Sequence, residues 1–205
     1  MYKTNLEFNK PIYVGFSILD LSKYLMYKFH YDVMKPIYKD KIRLCYQDTD
    51  SLIYEIETED IYKDMGKIKG HFDFSDYPKD HPLYDETNKK VIGKFKDELS
   101  GKIMVEFVGL KPKQYAFKVD NGEENKKSKG VKKYVIKKLT INDYKRCLFE
   151  NKSVRKEQYM IRAQKHQICT IKQNKVALNE DNNEEYKRYI LDNKYDTLAH
   201  GHYNI

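Results

Sequence analysis

Apolar residues near the start of the chain recur every three or four positions. They are Ile18, Leu21, Leu25, Phe29 and Val33. This spacing is typical of one face of an α-helix. It predicts an amphipathic helix from about Ser17 to Met34, which ends before Pro36 because the residue that precedes a proline disfavours helical geometry.

Two short apolar runs follow, Ile42 to Tyr46 and Leu52 to Ile56. Between them lies Gln47-Asp48-Thr49-Asp50-Ser51, a stretch rich in residues that favour turns. Two strand-like runs joined by a short polar stretch predict a β-hairpin. The hairpin tip then carries two aspartates.

The remainder of the chain mixes helical and strand-like patterns. Asp60 to Lys90 is polar, contains Pro78 and Pro82, and predicts irregular structure. The further elements expected are strands at Ile103 to Val108, Gln114 to Val119 and Tyr134 to Ile136, a lysine-rich turn at Asn121 to Gly130, and a helix at Ile141 to Glu150. The predicted fold class is therefore α+β.

Charge is distributed unevenly along the chain. The formal net charge is +8, but Tyr46 to Glu86 holds twelve acidic and four basic residues, a local net of −8. Lys111 to Thr140 holds ten lysines and three acidic residues, a local net of +7. Such poles suit a protein that holds a divalent metal at one place and a phosphate backbone at another, although charged runs are more often plain solvated surface.

Length and composition limit the classes of protein that fit. The 205 residues suffice for one domain or two small ones. Three cysteines give no disulfide framework, and no run of about 18 apolar residues is present. We expect a soluble protein of a reducing compartment, nuclear or cytoplasmic, without a signal peptide.

Asp48 and Asp50 are the candidate metal ligands. Residues two apart in a strand project to the same side, so both carboxylates share a face if the tip stays extended. Hard oxygen ligands of this kind suit Mg²⁺. The alternatives are a solvated turn and the D-x-D metal site of a nucleotide-sugar glycosyltransferase, which would need a βαβ fold upstream.

The segment Tyr46-Gln47-Asp48-Thr49-Asp50-Ser51 resembles the Y-x-D-T-D-S motif of family B DNA polymerases, which lies on a palm hairpin. Other segments are similar to the protein-primed branch of that family, found in viruses and Polinton-type transposons. They are Lys10 to Gly15, Leu19 to Lys23, the K-x-Y element in Gly109 to Tyr115, and the tail from Tyr186 to His202.

The resemblance implies a fold and a set of site residues. Residues 1–118 would form a partial palm domain and 119–205 a thumb-like region. Asp50 would be the direct ligand of Mg²⁺, with Asp48 in support, while Tyr46, Thr49 and Ser51 shape the turn. The residues implied to contact primer and template are Lys111, Lys113, Tyr115, Lys126, Lys127, Lys129, Lys132 and Lys133.

The implied activity is template-directed nucleotidyl transfer in the replication of a virus or mobile element. The partners would be primer–template DNA, deoxynucleoside triphosphates and a terminal-protein primer. Two metals would act together, one on the primer 3′-hydroxyl and one on the leaving pyrophosphate.

Two departures from the family pattern limit the expected activity. No D-x-x-S-L-Y-P segment, which supplies the partner aspartate, precedes Tyr46, and no K-x-x-x-N-S-x-Y-G helix is present to grip the triphosphate. Gln47 stands where many relatives carry a small residue. We therefore expect the isolated chain to be inactive, and a non-catalytic nucleic-acid-binding module is the alternative function.

Overall fold

The computed structural model describes residue 5 and residues 7–179, 188–193, 196–199 and 201–205. Helices account for 29% and strands for 32% of the residues, and the sheets are small and antiparallel, which confirms the α+β class. The chain forms two compact units. The first comprises Met1–Val105 with Val119–Asn121, and the second Glu106–Lys118 with Gly122–Ile205. The domain boundary expected after residue 118 stays a prediction.

The first unit begins with helix α1, Ile12–Lys28, which continues into a π-helical turn, Phe29–Met34, and then into α2, Lys35–Tyr38. The prediction that the helix ends before Pro36 is wrong, because this proline lies in the first turn of α2. The first turn of a helix tolerates proline, since its amide would lack a partner there in any case.

The predicted apolar stripe is buried only at its C-terminal end. Phe29 is buried and Val33 half-buried, whereas Ile18 is 63% and Leu21 68% exposed. The N-terminal half of the predicted amphipathic helix therefore does not bury its apolar stripe. The packed half joins the core of the first unit, which consists of Phe29, Met34, Tyr38, Ile42, Phe72, Phe74 and Tyr77.

Strands β1, Ile42–Asp48, and β2, Ser51–Ile56, pair as an antiparallel hairpin, as predicted. Ile42 at the root of β1 is buried in the core with Phe29 and Tyr38. Leu52, Tyr54 and Ile56 of β2 pack against the same cluster. One face of the hairpin is thereby anchored, and its tip projects beyond the anchored part.

The segment from Asp60 to Lys90 is mostly irregular, as predicted, but it also contains a helix. Helix α3, Ile61–Lys67, is capped by the Asp60 side chain, which accepts hydrogen bonds from the amides of Tyr62 and Lys63. A further helical turn occupies Lys69–His71. This helix was not predicted, although aspartate is a common start signal of helices.

The second unit is built on a three-stranded sheet in the order β3-β4-β5, with β3 at Met104–Lys111, β4 at Gln114–Val119 and β5 at Glu124–Ser128. The expectation of a turn throughout Asn121 to Gly130 is wrong in its second half. Residues 124–128 pair with β4. The pairing brings the buried Gln114 amide to the hydroxyl of Ser128 at 2.9 Å, so a satisfied polar contact fixes the register.

Two helices follow the sheet. The strand expected at Tyr134 to Ile136 is instead a single helical turn, α4, Lys133–Ile136, because its geometry buries Val135 against the unit. Helix α5, Ile141–Glu150, has the predicted bounds. Thr140 and Asp143 form a reciprocal capping box at its start, and Asn151 adopts a left-handed conformation after its end.

A long hairpin that the sequence did not predict closes the second unit. Strands β6, Val154–Gln164, and β7, Gln167–Leu178, pair along their whole length. A short pair follows, β8, Arg188–Ile190, with β9, Thr197–Ala199. Three tail residues singled out by the resemblance, Tyr186, Lys187 and His200, lie outside the described residues.

The core of the second unit lies where the base of the β6–β7 hairpin meets the sheet and α5. It consists of Val108, Ala116, Leu139, Ile141, Tyr144, Cys147, Ala177 and Leu178. Over the described part of the chain, no helix has the length and apolar character needed to cross a membrane.

Candidate functional site

The two candidate aspartates lie at the turn between β1 and β2. Asp48, the last residue of β1, pairs with Ser51, the first of β2, so Thr49 and Asp50 form a two-residue loop. The Asp50 amide donates a hydrogen bond to the Asp48 carbonyl at 2.6 Å. Thr49 has φ = +50°, a region that β-branched residues rarely adopt. Such strain is concentrated at functional sites.

The turn is braced by its own hydroxyls. Thr49 Oγ1 donates to Asp48 Oδ1 at 3.2 Å, and Ser51 Oγ donates to the Asp48 carbonyl at 3.2 Å. Asp50 is exposed, whereas Asp48 is half-buried. The condition that the tip stays extended is not met, because positive φ at Thr49 reverses the chain there. The turn itself, not strand alternation, sets the directions of the two carboxylates.

A β-bulge precedes the motif. Leu44 pairs with Tyr54 and Tyr46 with Ile53, so Cys45 is the extra residue on β1. A bulge changes which side chains share a face and is frequent beside active sites. The bulge determines which β2 residues lie opposite Tyr46 and Gln47, and Gln47 pairs with Leu52.

A histidine–tyrosine pair ties the hairpin to the π-helical turn. His30 Nδ1 lies 3.1 Å from the Tyr54 hydroxyl, and the two rings stack with centroids 5.6 Å apart. Burial raises the pKa of Tyr54, while burial and the nearby Lys35 charge lower the pKa of His30. Both side chains are therefore neutral near pH 7, as a partly buried pair should be. Neither residue was predicted from the sequence to belong to the site.

The K-x-Y element lies at the turn between β3 and β4. Lys113 is exposed with φ = +63°, and its carbonyl accepts a hydrogen bond from the Lys129 amide at 3.0 Å. Tyr115 is half-buried on β4, with its ring 5.8 Å from that of Phe107 and 6.4 Å from that of Phe117. Lys113 and Lys129 are thereby neighbours at one end of the sheet.

Strand pairing divides the predicted DNA-binding lysines between the two faces of this sheet. Tyr115 lies directly opposite the exposed Lys127, so both project to the same face. Lys126 projects to the other face, where its ammonium lies 3.2 Å from Glu124 and only 17% of the side chain is exposed. Glu124 also accepts a hydrogen bond from the first amide of α5, that of Ile141.

The remaining predicted lysines are more scattered. Lys111 Nζ donates to Asn179 Oδ1 at 2.6 Å. Lys132 precedes α4 and its amide donates to Gln158 Oε1 at 3.1 Å, while Lys133 begins that helix. The structure therefore brings together Lys113, Tyr115, Lys127 and Lys129, which we call the outer basic face.

The β6–β7 hairpin adds a basic ribbon that was not predicted from the sequence. It carries six basic residues against the single acid Glu157, and they are Arg155, Lys156, Arg162, Lys165, Lys172 and Lys175. Ala177 and Leu178 root it in the core, and Lys165 and His166 form its two-residue turn. A two-stranded ribbon fits the major groove of B-form DNA.

The metal-binding capacity of the hairpin tip rests on two carboxylates. Within the described ranges, no group of three or more His, Cys, Asp or Glu side chains lies together. Magnesium is commonly held by one or two protein carboxylates together with substrate phosphates and waters, so the donor set at the tip fits one side of such a site.

Comparison of the chain with protein-family models, with curated proteins and with solved structures found no match.

Proposed function

We propose that this chain is the C-terminal part of a family B DNA polymerase of the protein-primed branch, and that it supplies one side of a two-metal centre for nucleotidyl transfer. The observation that carries the proposal is the Y-x-D-T-D-S segment at a tight hairpin tip, with Thr49 at φ = +50° between the two aspartates. In ordinary turns, β-branched residues rarely adopt this conformation.

In this proposal Asp50 is the direct ligand of Mg²⁺ and Asp48 supports it. The exposed position of Asp50 suits a ligand that must also meet substrate phosphates, while the half-buried Asp48 is fixed by the bond from Thr49. Bound Mg²⁺ would lower the pKa of a primer hydroxyl and stabilise charge on the leaving group. Asp48 ends β1, and Asp50 lies in the two-residue loop that joins the paired strands. The short loop restricts where the Asp50 carboxylate can lie, as a catalytic ligand requires.

Primer and template would be held by the outer basic face. Lys113 and Lys129 lie beside each other, and Lys127 shares a face with Tyr115. Lysine ammonium groups and a tyrosine hydroxyl suit phosphate contacts, which position a duplex without reading its sequence. The β6–β7 ribbon extends the basic surface of the same unit and corresponds to the thumb-like region of the proposal.

A nucleic-acid-binding module without catalysis is the second candidate. The ribbon and the outer basic face favour it, because neither depends on the hairpin aspartates. A D-x-D glycosyltransferase is disfavoured, since the sheets described are small and antiparallel and such an enzyme needs βαβ units.

The experiment that separates the candidates uses the chain joined to the polypeptide encoded upstream of it. In that protein, Asp50→Asn should lower the rate of primer extension by about 1,000-fold, the scale of losing a group that acts in the transition state. Duplex affinity should stay close to the wild-type value, because the lost carboxylate makes no backbone contact. Asp80→Asn, at an exposed site far along the chain from the motif, is the matched control and should retain extension.

Retention of near-normal extension by Asp50→Asn would refute the catalytic role of the hairpin. Duplex binding without extension by the joined wild-type protein would favour the non-catalytic module.

A further inference from the structure

The outer basic face of the second unit also carries three aromatic rings. On β4, Ala116 is buried in the core, so its neighbours Tyr115 and Phe117 project to the opposite face of the sheet. On β3, Val108 lies in the core and Phe107 projects outward in the same way. All three rings are half-buried, and neither core formed by the described residues includes them.

The three rings form one row across the sheet. The centroids of Phe107 and Tyr115 are 5.8 Å apart. Those of Tyr115 and Phe117 are 6.4 Å apart, with ring planes only 16° from parallel. Gly109 makes room for the first ring, since a Cβ atom at this position would lie 3.1 Å from Phe107 Cε1. The Phe107 ring therefore lies over the strand backbone, where a larger residue would displace it.

Basic and hydrogen-bonding side chains border the row of rings. Lys127 lies directly opposite Tyr115, and Asn125 lies directly opposite Phe117, so both project to the face that carries the rings. Both side chains are exposed. A lysine ammonium group suits contacts to phosphate, and an amide can form hydrogen bonds with the edges of bases.

This combination of groups suits an unpaired strand. Proteins that bind single-stranded nucleic acids stack the bases on aromatic rings and hold the backbone with basic side chains. In a duplex the bases cover one another at a rise of about 3.4 Å. The ring spacings of 5.8 Å and 6.4 Å both exceed that rise, so neighbouring rings can accept successive bases only from an extended, unpaired strand.

We propose that the outer face of the β3-β4-β5 sheet binds single-stranded nucleic acid, whose bases stack on Phe107, Tyr115 and Phe117 while Lys127 contacts its phosphates. The inference rests on the outer basic face of the proposed function and extends it from duplex phosphates to unpaired bases. It does not depend on the hairpin aspartates.

The test measures the affinity of the purified chain for two labelled strands by fluorescence anisotropy. One is a thymidine oligonucleotide of about 12 nucleotides, within the usual range of site sizes, and the other has the same length but lacks its central bases. The two strands carry equal charge, so phosphate attraction alone would bind them equally. We expect the abasic strand to bind at least about fivefold more weakly, the scale of losing one stacked base.

Substitutions of Phe117 test the stacking directly. Phe117→Leu should weaken binding of the thymidine strand by at least about fivefold, because an apolar side chain without a ring cannot stack on a base. It should leave binding of the abasic strand unchanged. Phe117→Tyr should retain the wild-type affinity for both strands, because the ring is kept.

Phe149→Leu is the matched control for the loss of a ring. Phe149 lies on α5, which packs against the inner face of the sheet, so the substitution should change neither affinity. Lys127→Gln should weaken binding of both strands by the same factor, because it removes a phosphate contact and no ring.

Equal affinity of the wild-type chain for the two strands would overturn the proposal, and this comparison needs no variant to fold. Undiminished binding of the thymidine strand by Phe117→Leu would also overturn it, as would an equal loss in Phe149→Leu. A failure of stacking is distinguishable from a failure of the proposed function, because salt-dependent duplex binding and primer extension are measured separately.

Discussion

Thr49 shows how one residue determines the geometry of the candidate site. A two-residue hairpin loop with positive φ normally contains glycine or asparagine, because a β-branched side chain crowds the backbone there. Thr49 adopts φ = +50° and returns a hydrogen bond to Asp48. Thr49 therefore adopts this conformation at an energetic cost, and the proposed role of the turn in metal binding would account for that cost.

Thr49→Gly should raise the free energy of unfolding by up to about 1 kcal/mol, because glycine adopts positive φ without strain. The lost hydroxyl bond to Asp48 offsets part of this gain. Thr58→Gly is the control, because Thr58 has no positive φ and its hydroxyl donates to Asp64 at 2.6 Å. It should lower stability. Chemical denaturation measures both, and a marked loss of stability in Thr49→Gly would show that the turn is not strained.

The buried residue Asp73 connects separate parts of the irregular segment of the first unit. Its buried carboxylate accepts hydrogen bonds from the amides of Ser75 and Lys90, both at 3.0 Å, and lies 3.4 Å from the Lys96 ammonium. Burial alone would raise the pKa of Asp73, but these partners outweigh burial and lower the pKa to about 2. A carboxylate thus joins three separate parts of the segment.

Asp73→Asn should lower the free energy of unfolding by about 1–3 kcal/mol at pH 7, since buried donors lose a charged acceptor. Because the folded-state pKa lies below the ordinary value of about 3.9, the wild-type advantage is complete above that value and is lost as pH falls toward 2. Denaturation of both proteins across this range measures the difference.

Asp76→Asn is the matched control for this comparison. Asp76 contacts the same Lys96 at 2.7 Å but is 65% exposed, and exposed ion pairs contribute little to stability. An equal effect of the two substitutions, or a difference that persists unchanged at pH 2, would contradict the role assigned to Asp73.

At the scale of elements, the sequence predicted those whose signals are local. The β1–β2 hairpin follows from apolar runs around Asp-Thr-Asp, and α5 follows from its Thr140 cap. The β6–β7 hairpin was missed because its turn is Lys165-His166, both with positive φ, where turn-forming residues are usual. The bulge at Cys45 was missed because it depends on pairing with β2 and not on composition.

For the candidate site, the sequence located the residues along the chain but did not predict their geometry. The aspartates were located at the hairpin tip, but the expected extended tip was replaced by a tight turn. The lysines were identified as a cluster along the chain, whereas strand pairing places Lys126 and Lys127 on opposite faces. Sequence spacing cannot assign faces until the element type is known, and this stretch was expected to be a turn.

That division of faces gives a direct prediction for the sheet of the second unit. Lys127→Gln should weaken duplex binding and reduce the slope of log affinity against log salt by about one, as the loss of one phosphate contact does. Lys126→Gln should leave the slope unchanged and lower thermal stability slightly, because Lys126 pairs with Glu124 on the inner face. Fluorescence anisotropy at several salt concentrations measures both. Equal effects of the two substitutions on duplex binding would contradict the proposal that the outer basic face binds DNA.

At the scale of the whole molecule, charge and chemistry are carried by different parts of the chain. The acidic segment contains the hairpin aspartates of the first unit. The lysine-rich segment contributes β4 and β5 to the sheet of the second unit, and the basic ribbon follows it at Val154–Leu178. Phosphate attraction needs only the basic surface, whereas nucleotidyl transfer needs carboxylates on both sides of two metals. The chain alone should therefore bind the phosphates of DNA but should not catalyse nucleotidyl transfer.

The most direct measurement of this central claim combines a primer–template binding titration with primer extension, both on the purified chain. We expect binding without sequence preference that weakens about 100-fold between about 50 mM and 200 mM salt if roughly four phosphates are contacted. We expect no nucleotide incorporation with Mg²⁺ or Mn²⁺. Template-dependent extension by this chain alone would contradict the account of an incomplete metal centre, and absent or salt-insensitive binding would contradict the assignment of its basic surface to DNA.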